Sequence, residues 1–233
     1  SKVLFNLIFG KPLKIKRVNL VGFGRFGKVY TAIYLKDNVG VNSAAKVLSG
    51  ANDCQVFLKT LNEVKCLGRC RAVKGVVDLF DCSVKNVMFH LVMERCSGSL
   101  TAWSFENKPT KTKSIVPRLV MLKQIAAALK ALSEIGILHL DIKCANVLIR
   151  SEHEVCICDF GEAVIGTKNE EKKYTFDIAY PRGTECIQSP EMLRASEKSK
   201  GEIGFSTDVW SFGCLIYELF VGELLFGTVG WSE

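Results

Sequence analysis

The sequence predicts an α+β protein in two lobes: a small β-rich N-terminal lobe with one main helix over residues 13–95, and a mostly helical C-terminal lobe over residues 96–233. Three observations carry this expectation. Residues 13–93 alternate short β-prone runs with turns around a single helical stretch. After Cys96-Ser97-Gly98 the apolar spacing changes from that of strands to that of helices, and a strongly apolar helical run follows at 207–221.

The β-prone runs are 15–21, 28–35, 43–48, 76–82 and 87–93. Between the third and fourth, residues 54–70 place Phe57, Leu58, Leu61, Val64 and Leu67 near helical spacing. In the second lobe Pro117 opens a helical pattern through Val120, Ile125, Leu129 and Leu132, and Gly136 stops it, since proline fits a first helical turn and glycine ends one. Residues 162–188 are polar and irregular, and the chain has no internal repeat or low-complexity segment.

A 48% hydrophobic and 24% charged composition is that of a soluble globular protein, so disorder is not the default expectation. The longest apolar stretch, 212–226, is broken by Glu218 and Glu223, so no membrane span is expected. Residues 3–9 are apolar but lack the basic leader and cleavage site of a secretory signal. Ten cysteines form no CxxC pair and no zinc spacing, and they read as reduced thiols of an intracellular, cytoplasmic protein. The net charge of +7 is concentrated at 11–17 and 108–113; without interleaved aromatics these stretches specify no nucleic-acid readout, and no nucleic-acid partner is expected.

Gly22, Gly24 and Gly27 lie in a glycine-rich turn between two β-prone runs, where missing side chains let backbone N–H groups approach phosphate oxygens. A dinucleotide fold would follow such glycines with a helix, whereas 28–35 reads as a strand, so a hairpin over phosphates is the better reading. An ordinary glycine-rich hairpin would look the same. Lys46 falls inside the third strand, where a lone inward lysine is costly unless paired, and Glu63 on the following helix is its natural partner. His139-Leu140-Asp141-Ile142-Lys143-Cys144-Ala145-Asn146 is followed thirteen residues after Asn146 by Asp159-Phe160-Gly161, and then by Ser189-Pro190-Glu191. In-line phosphoryl transfer needs a carboxylate to orient the attacking hydroxyl, a cation on the transferring phosphate and oxygen ligands for Mg²⁺. Asp141, Lys143 and the pair Asn146/Asp159 supply these groups in turn.

With Asp208-Val209-Trp210-Ser211-Phe212-Gly213 these motifs resemble the eukaryotic protein kinase family in order and spacing over about residues 15–225. The resemblance implies a two-lobed kinase-like fold, ATP and Mg²⁺ as cofactors, and transfer of the γ-phosphate to a protein substrate. It implies that Met93 is the gatekeeper and that backbone groups of Glu94 and Cys96 bond adenine in a cleft between the lobes. Val29, Ala44 and Leu148 would sandwich the ring, and Leu67, Leu79, His139 and Phe160 would stack into a core column. Lys143, together with Gly183-Thr184 ahead of Ser189, is similar to the serine/threonine branch, with the Thr184 hydroxyl placed to bond Asp141 and Lys143.

Three departures stand out: Leu140 replaces the arginine common before the catalytic aspartate, Cys144 stands where proline is usual, and Ile187 replaces a tyrosine. The resemblance also leads to the expectation of a C-terminal lobe truncated after the third helix. Glu191 would then lack its usual cation, and a missing segment or a partner would cover that helix. Two other readings remain open: a catalytically impaired nucleotide-binding scaffold, and a small-molecule phosphotransferase with the same core. The Ser189-Pro190-Glu191 and 208–213 segments argue against the latter, because they belong to a protein-substrate platform.

Overall fold

In the computed structural model, which describes residues 13–24, 27–50, 53–107, 115–196 and 203–227, the early β-prone runs build one antiparallel sheet. Its strands are β1 (Ile15–Gly24), β2 (Gly27–Lys36), β3 (Val39–Ser49), β4 (Leu79–Lys85) and β5 (Met88–Glu94), in the order β1-β2-β3-β5-β4. Asp37-Asn38 joins β2 to β3 and Asn86-Val87 joins β4 to β5, each pair with positive φ at both residues, as tight hairpins of right-handed twist require. Val87, read from sequence as strand, is therefore a turn residue. The fourth strand also begins three residues later than the run 76–82. Val76 and Val77 are apolar because they are buried; Val76 makes an isolated parallel bridge to Ile157, after Gly75 turns the chain with φ +82°.

Helix α1 (Cys54–Arg69) starts where the Asp53 carboxylate accepts from the N–H groups of Gln55 and Val56, a cap that satisfies otherwise orphaned donors. Its buried face carries Val64, Cys66 and Leu67, and Phe57 packs a tilted ring 5.6 Å from Phe89 of β5. Glu63 lies on the same buried face. This sheet and helix form one compact unit, Ser1–Ala72 with Val77–Cys96; Val73–Val76 and Ser97–Glu233 form the other.

The second unit opens with β6 (Gly98–Ser99) and helix α2 (Leu100–Glu106), whose first turn is capped by the Ser99 hydroxyl. Helix α3 (Val116–Glu134) has proline in its first turn and buries Met121, Leu122, Ile125, Ala128 and Leu132. The strands β7 (Ile137–Leu138), β8 (Val147–Ser151) and β9 (Glu154–Ile157) follow. β6, β8 and β9 make a three-stranded sheet, and α3 packs on β9. β10 (Val164–Ile165) pairs with β7, and β11 (Thr167–Lys168) pairs with β12 (Tyr174–Thr175) inside the segment read as irregular. The short helix α4 (Pro190–Leu193) and the apolar α5 (Ser206–Val221) complete the unit. Two-residue strands, and a helix as short as α2, leave too little periodicity to be read from sequence. Among the described residues no helix is long and apolar enough to cross a membrane, and none of the ten cysteines is in a disulfide.

Candidate active site

The first group of site residues is assembled by the register of the sheet. Lys46 in β3 stands opposite Val29 in β2 and Leu91 in β5, while Ala44, two residues earlier and on the same face, stands opposite Met93. The glycine-rich run closes β1 on β2, with Gly22 opposite Val29 and Gly24 opposite Gly27; a side chain at Gly27 would collide with Val47 O. Arg25 and Phe26 lie outside the described residues, as do the basic residues 108–113. Lys46 Nζ donates to both carboxylate oxygens of Glu63, at 2.8 and 3.0 Å, and the Glu63 side chain is 4% exposed. A lysine inside a strand and a glutamate on an apolar helix face are thus each explained by the other. The Glu94 N–H donates to Asp78 O at 2.9 Å, and the Glu94 carboxylate accepts from the Asp78 N–H at 2.8 Å, tying the end of β5 to the start of β4.

In the second unit the loop 139–146 is held from below by α5. Asp208 accepts from the His139 and Leu140 N–H groups, both at 2.8 Å. Burial pushes the Asp208 carboxyl above the usual carboxylate range, against the opposing pull of His139 and those two N–H groups. The His139 ring accepts from the Asp141 N–H at Nδ1 (3.3 Å) and meets Cys158 O through Nε2 (3.0 Å), so a proton on Nε2 satisfies both bonds. Its edge packs on Phe160 with centroids 4.7 Å apart. In the other unit Leu67 and Leu79 are each buried.

Asp141 is restrained on both oxygens. Its Oδ1 accepts from the Thr184 hydroxyl at 2.6 Å, the Thr184 N–H at 3.0 Å and Lys143 Nζ at 3.3 Å. Its Oδ2 accepts from Asn146 Nδ2 at 2.7 Å and lies 3.0 Å from Lys143 Nζ. Lys143 also donates to the Thr184 hydroxyl at 2.5 Å. Gly183 makes this approach achievable: its φ is +86°, and a Cβ there would collide with Leu140 O. Asn146 Nδ2 donates a second time, to Asp141 O at 2.9 Å, which leaves Oδ1 as the oxygen its side chain can offer a cation. The Asn146 carbonyl accepts from the Cys158 N–H at 2.9 Å, and Val147 pairs with Ile157, so Asn146 and Asp159 flank the same end of the β8–β9 hairpin. Asp159 takes a left-handed φ of 64°. Leu148 pairs with Ser99 and Cys156, and Ser97 anchors to Ile149 O through both its N–H (2.8 Å) and its hydroxyl (3.0 Å). Cys96, just before it, is half-buried and in no disulfide.

The sequence matches the family model described as protein kinase domain over residues 15–231. The chain belongs to the eukaryotic protein kinase family. Among its relatives are the alpha subunit of CTD kinase of Schizosaccharomyces pombe, 31% identical over 97% of this chain and 36% of that protein, and mitogen-activated protein kinase kinase kinase 4 of mouse, 30% identical over 90% and 13%. The serine/threonine-protein kinase KIC1 of Saccharomyces cerevisiae is 27% identical over 89% and 18%. The chain therefore spans well under half the length of each of these kinases.

Glu191 has partners: its carboxylate accepts from the Thr207 hydroxyl at 3.0 Å and from the Ser206 hydroxyl at 3.4 Å. Burial works against its charge, but its own N–H and the hydroxyls of Thr207, Ser189 and Ser206 hold its carboxyl below the usual value. Sequence reading also passed over Glu162, which pairs with Arg182 at 3.5 Å and so joins the residue after Asp159-Phe160-Gly161 to the one before Gly183. Glu218 was noted only as a charge in an apolar stretch; ten residues past Asp208 on the same helix, it reaches the loop 139–146 as well, its Oε2 accepting from the Cys144 N–H at 3.3 Å.

Proposed function

We propose that this domain transfers the γ-phosphate of ATP to serine or threonine hydroxyls of protein substrates. The observation that carries the reading is the restraint of Asp141, whose carboxylate is locked by Thr184, Lys143 and Asn146 in one orientation. A carboxylate so held accepts the hydrogen bond of the incoming hydroxyl and takes its proton as the oxygen–phosphorus bond forms and the bond from the γ-phosphorus to ADP breaks. Lys143 supplies positive charge beside the same carboxylate, and Lys46, oriented by Glu63, is suited to a nucleotide phosphate. The hard oxygen set of Asn146 Oδ1 and the Asp159 carboxylate fits Mg²⁺, which would neutralise charge on the phosphates. The adenine contacts assigned to Val29, Ala44, Met93, Glu94, Cys96 and Leu148, and the phosphate contacts of Gly22, Gly24 and Gly27, belong to the same proposal.

Serine/threonine choice is supported by the Lys143–Thr184–Asp141 triangle and by the kinases of that type among the relatives. An intracellular, cytoplasmic setting belongs to this reading too, supported by ten cysteines of which none is in a disulfide. Incubation with labelled ATP, Mg²⁺ and a generic basic protein tests it, and transfer to serine or threonine is the expected result. Asp141→Asn should lower turnover by a factor on the order of 10³ with nucleotide affinity nearly kept. Nucleotide binding without transfer by the wild-type chain would favour the scaffold reading instead.

A further inference from the structure

We infer that Glu218 is a positioning residue for the catalytic loop, acting through the Cys144 N–H. Helix α5 grips the loop at two places. Its first turn supplies Asp208 to the His139 and Leu140 N–H groups, and its last turns supply Glu218, whose Oε2 accepts from the Cys144 N–H at 3.3 Å, beside a 3.9 Å contact from Cys144 Sγ to Leu215 O. Cys144 is fully buried and opens the one-turn 3₁₀ helix Cys144–Asn146. The last residue of that turn, Asn146, holds Asp141 through its side-chain amide at 2.7 and 2.9 Å. The orientation of Asp141 thus depends on a turn whose leading N–H is capped by Glu218.

The local backbone shows why a cap is needed. Lys143, just before the turn, is extended at φ −153° and ψ 164°, the conformation a following proline requires, and position 144 is the first of the turn, where proline is favoured. Proline there would fix the turn through its ring and bring no N–H. Cysteine fixes nothing and brings a buried donor, which costs about 1–3 kcal/mol if left unsatisfied. Glu218 removes that cost and restores the restraint. Among the described residues it has no basic partner, and besides the Cys144 N–H its carboxylate faces the Cys144 thiol, whose pKa burial and then this charge push up.

The test is a cycle of Glu218→Ala, Glu218→Gln, Cys144→Pro and the double variant Cys144→Pro/Glu218→Ala in the 233-residue chain. Its rate readout rests on the transfer reaction proposed above; its amide-exchange readout does not. Glu218→Ala should lower kcat about tenfold, about 1.4 kcal/mol, with the KM values for ATP and peptide within about twofold. Glu218→Gln, which keeps the acceptor, should stay within about threefold of wild type. In the Cys144→Pro background Glu218→Ala should change kcat by less than about twofold, because the donor is gone. Hydrogen exchange across 142–146 should speed at least about fivefold in Glu218→Ala but not in Glu218→Gln. Unchanged exchange in Glu218→Ala would overturn the inference whether or not the chain transfers phosphate. So would a raised KM for peptides carrying Lys or Arg beside the acceptor at unaltered kcat, which would make Glu218 a substrate contact. An equal loss in the proline background would overturn it too. If Cys144→Pro fails to fold, the contrast between Glu218→Ala and Glu218→Gln decides.

Discussion

Lys46 and Glu63 set up a test that separates chemistry from folding. Glu63 is nearly buried and Lys46 mostly so, and their bidentate contact spans 2.8–3.0 Å. Lys46→Met keeps the length of the side chain but leaves a carboxylate in a dry site without its cation, which that carboxylate can relieve by taking a proton. Transfer should therefore fall by a factor on the order of 10² or more, while the melting temperature moves by only a few degrees. A collapsed melting curve with normal activity in the folded fraction would make the pair purely structural. His90 gives a pH test. It is 7% exposed with Nδ1 unpartnered, and its pKa is lowered from 6.5 by burial and then by Arg17 and Lys85, against the weaker opposing effect of a backbone bond at Met88. The unfolded chain then binds its proton at higher pH than the folded one, so the stability His90 contributes is complete above about 6.5 and is lost as pH falls through the lower folded value. Thermal melting at pH 7.5 and 5.5 should show a fall that shrinks in His90→Leu; an identical fall in both proteins would exclude His90 as its source.

At the scale of elements, the segment between Asp159 and Glu191 is secured to the loop 139–146 by apolar packing. Leu140 is 3% exposed, with φ 65°, and lies in a buried cluster with Leu138, Phe176, Ile178, Met192, Ala195 and Ile203. Phe205 adds edge contacts to Phe176 and Tyr174 at 5.1 and 6.3 Å, and Lys168 lies 5.0 Å over the Tyr174 ring. In relatives with arginine before the catalytic aspartate, that cation can receive a phosphate from this segment; leucine cannot, and burial against Phe176 and Ile178 supplies the docking instead. The Thr167→Ala/Tyr174→Phe/Thr175→Ala triple variant, like phosphatase-treated protein, should keep turnover within about threefold, whereas Phe176→Ser should lower it tenfold or more by opening the cluster. A loss of about a hundredfold in the hydroxyl variant would mean that a phosphate orders the segment. The replacement at 140 was visible in the sequence, because its neighbours are well-spaced motifs. Its consequence was not, since Phe176 and Ile178 sit in a polar, irregular stretch without periodicity and, like Ile203, meet Leu140 only through long-range contacts.

For the whole chain, legibility follows the range of the interaction. The five strands of the first sheet and α1 were readable because alternation and helical spacing are local, whereas the strand order was not read. The membership of residues 73–76 in the second unit was not, because it depends on Ile157 N–H bonding Gly75 O at 2.8 Å and Arg150 bonding Val76 O at 2.7 Å, across more than seventy residues. Helix α5 joins both cases: its apolar run was evident, yet which face it buries is a tertiary property. The buried face carries Asp208, Ser211, Cys214, Leu215 and Leu219. Away from it Val209, Tyr217 and Val221 are exposed, as are Leu224 and Leu225 beyond the helix, while Trp210 stacks on Phe226 at 5.8 Å. Apolar groups this closely spaced on one surface favour association in water, since covering them releases about 25 cal/mol per Å². The 233-residue chain should therefore self-associate at micromolar concentration, and sedimentation velocity should show species above the monomer that diminish in Val209→Lys/Tyr217→Lys. A monodisperse monomer at those concentrations, or association indifferent to the two lysines, would place the interface elsewhere or remove it.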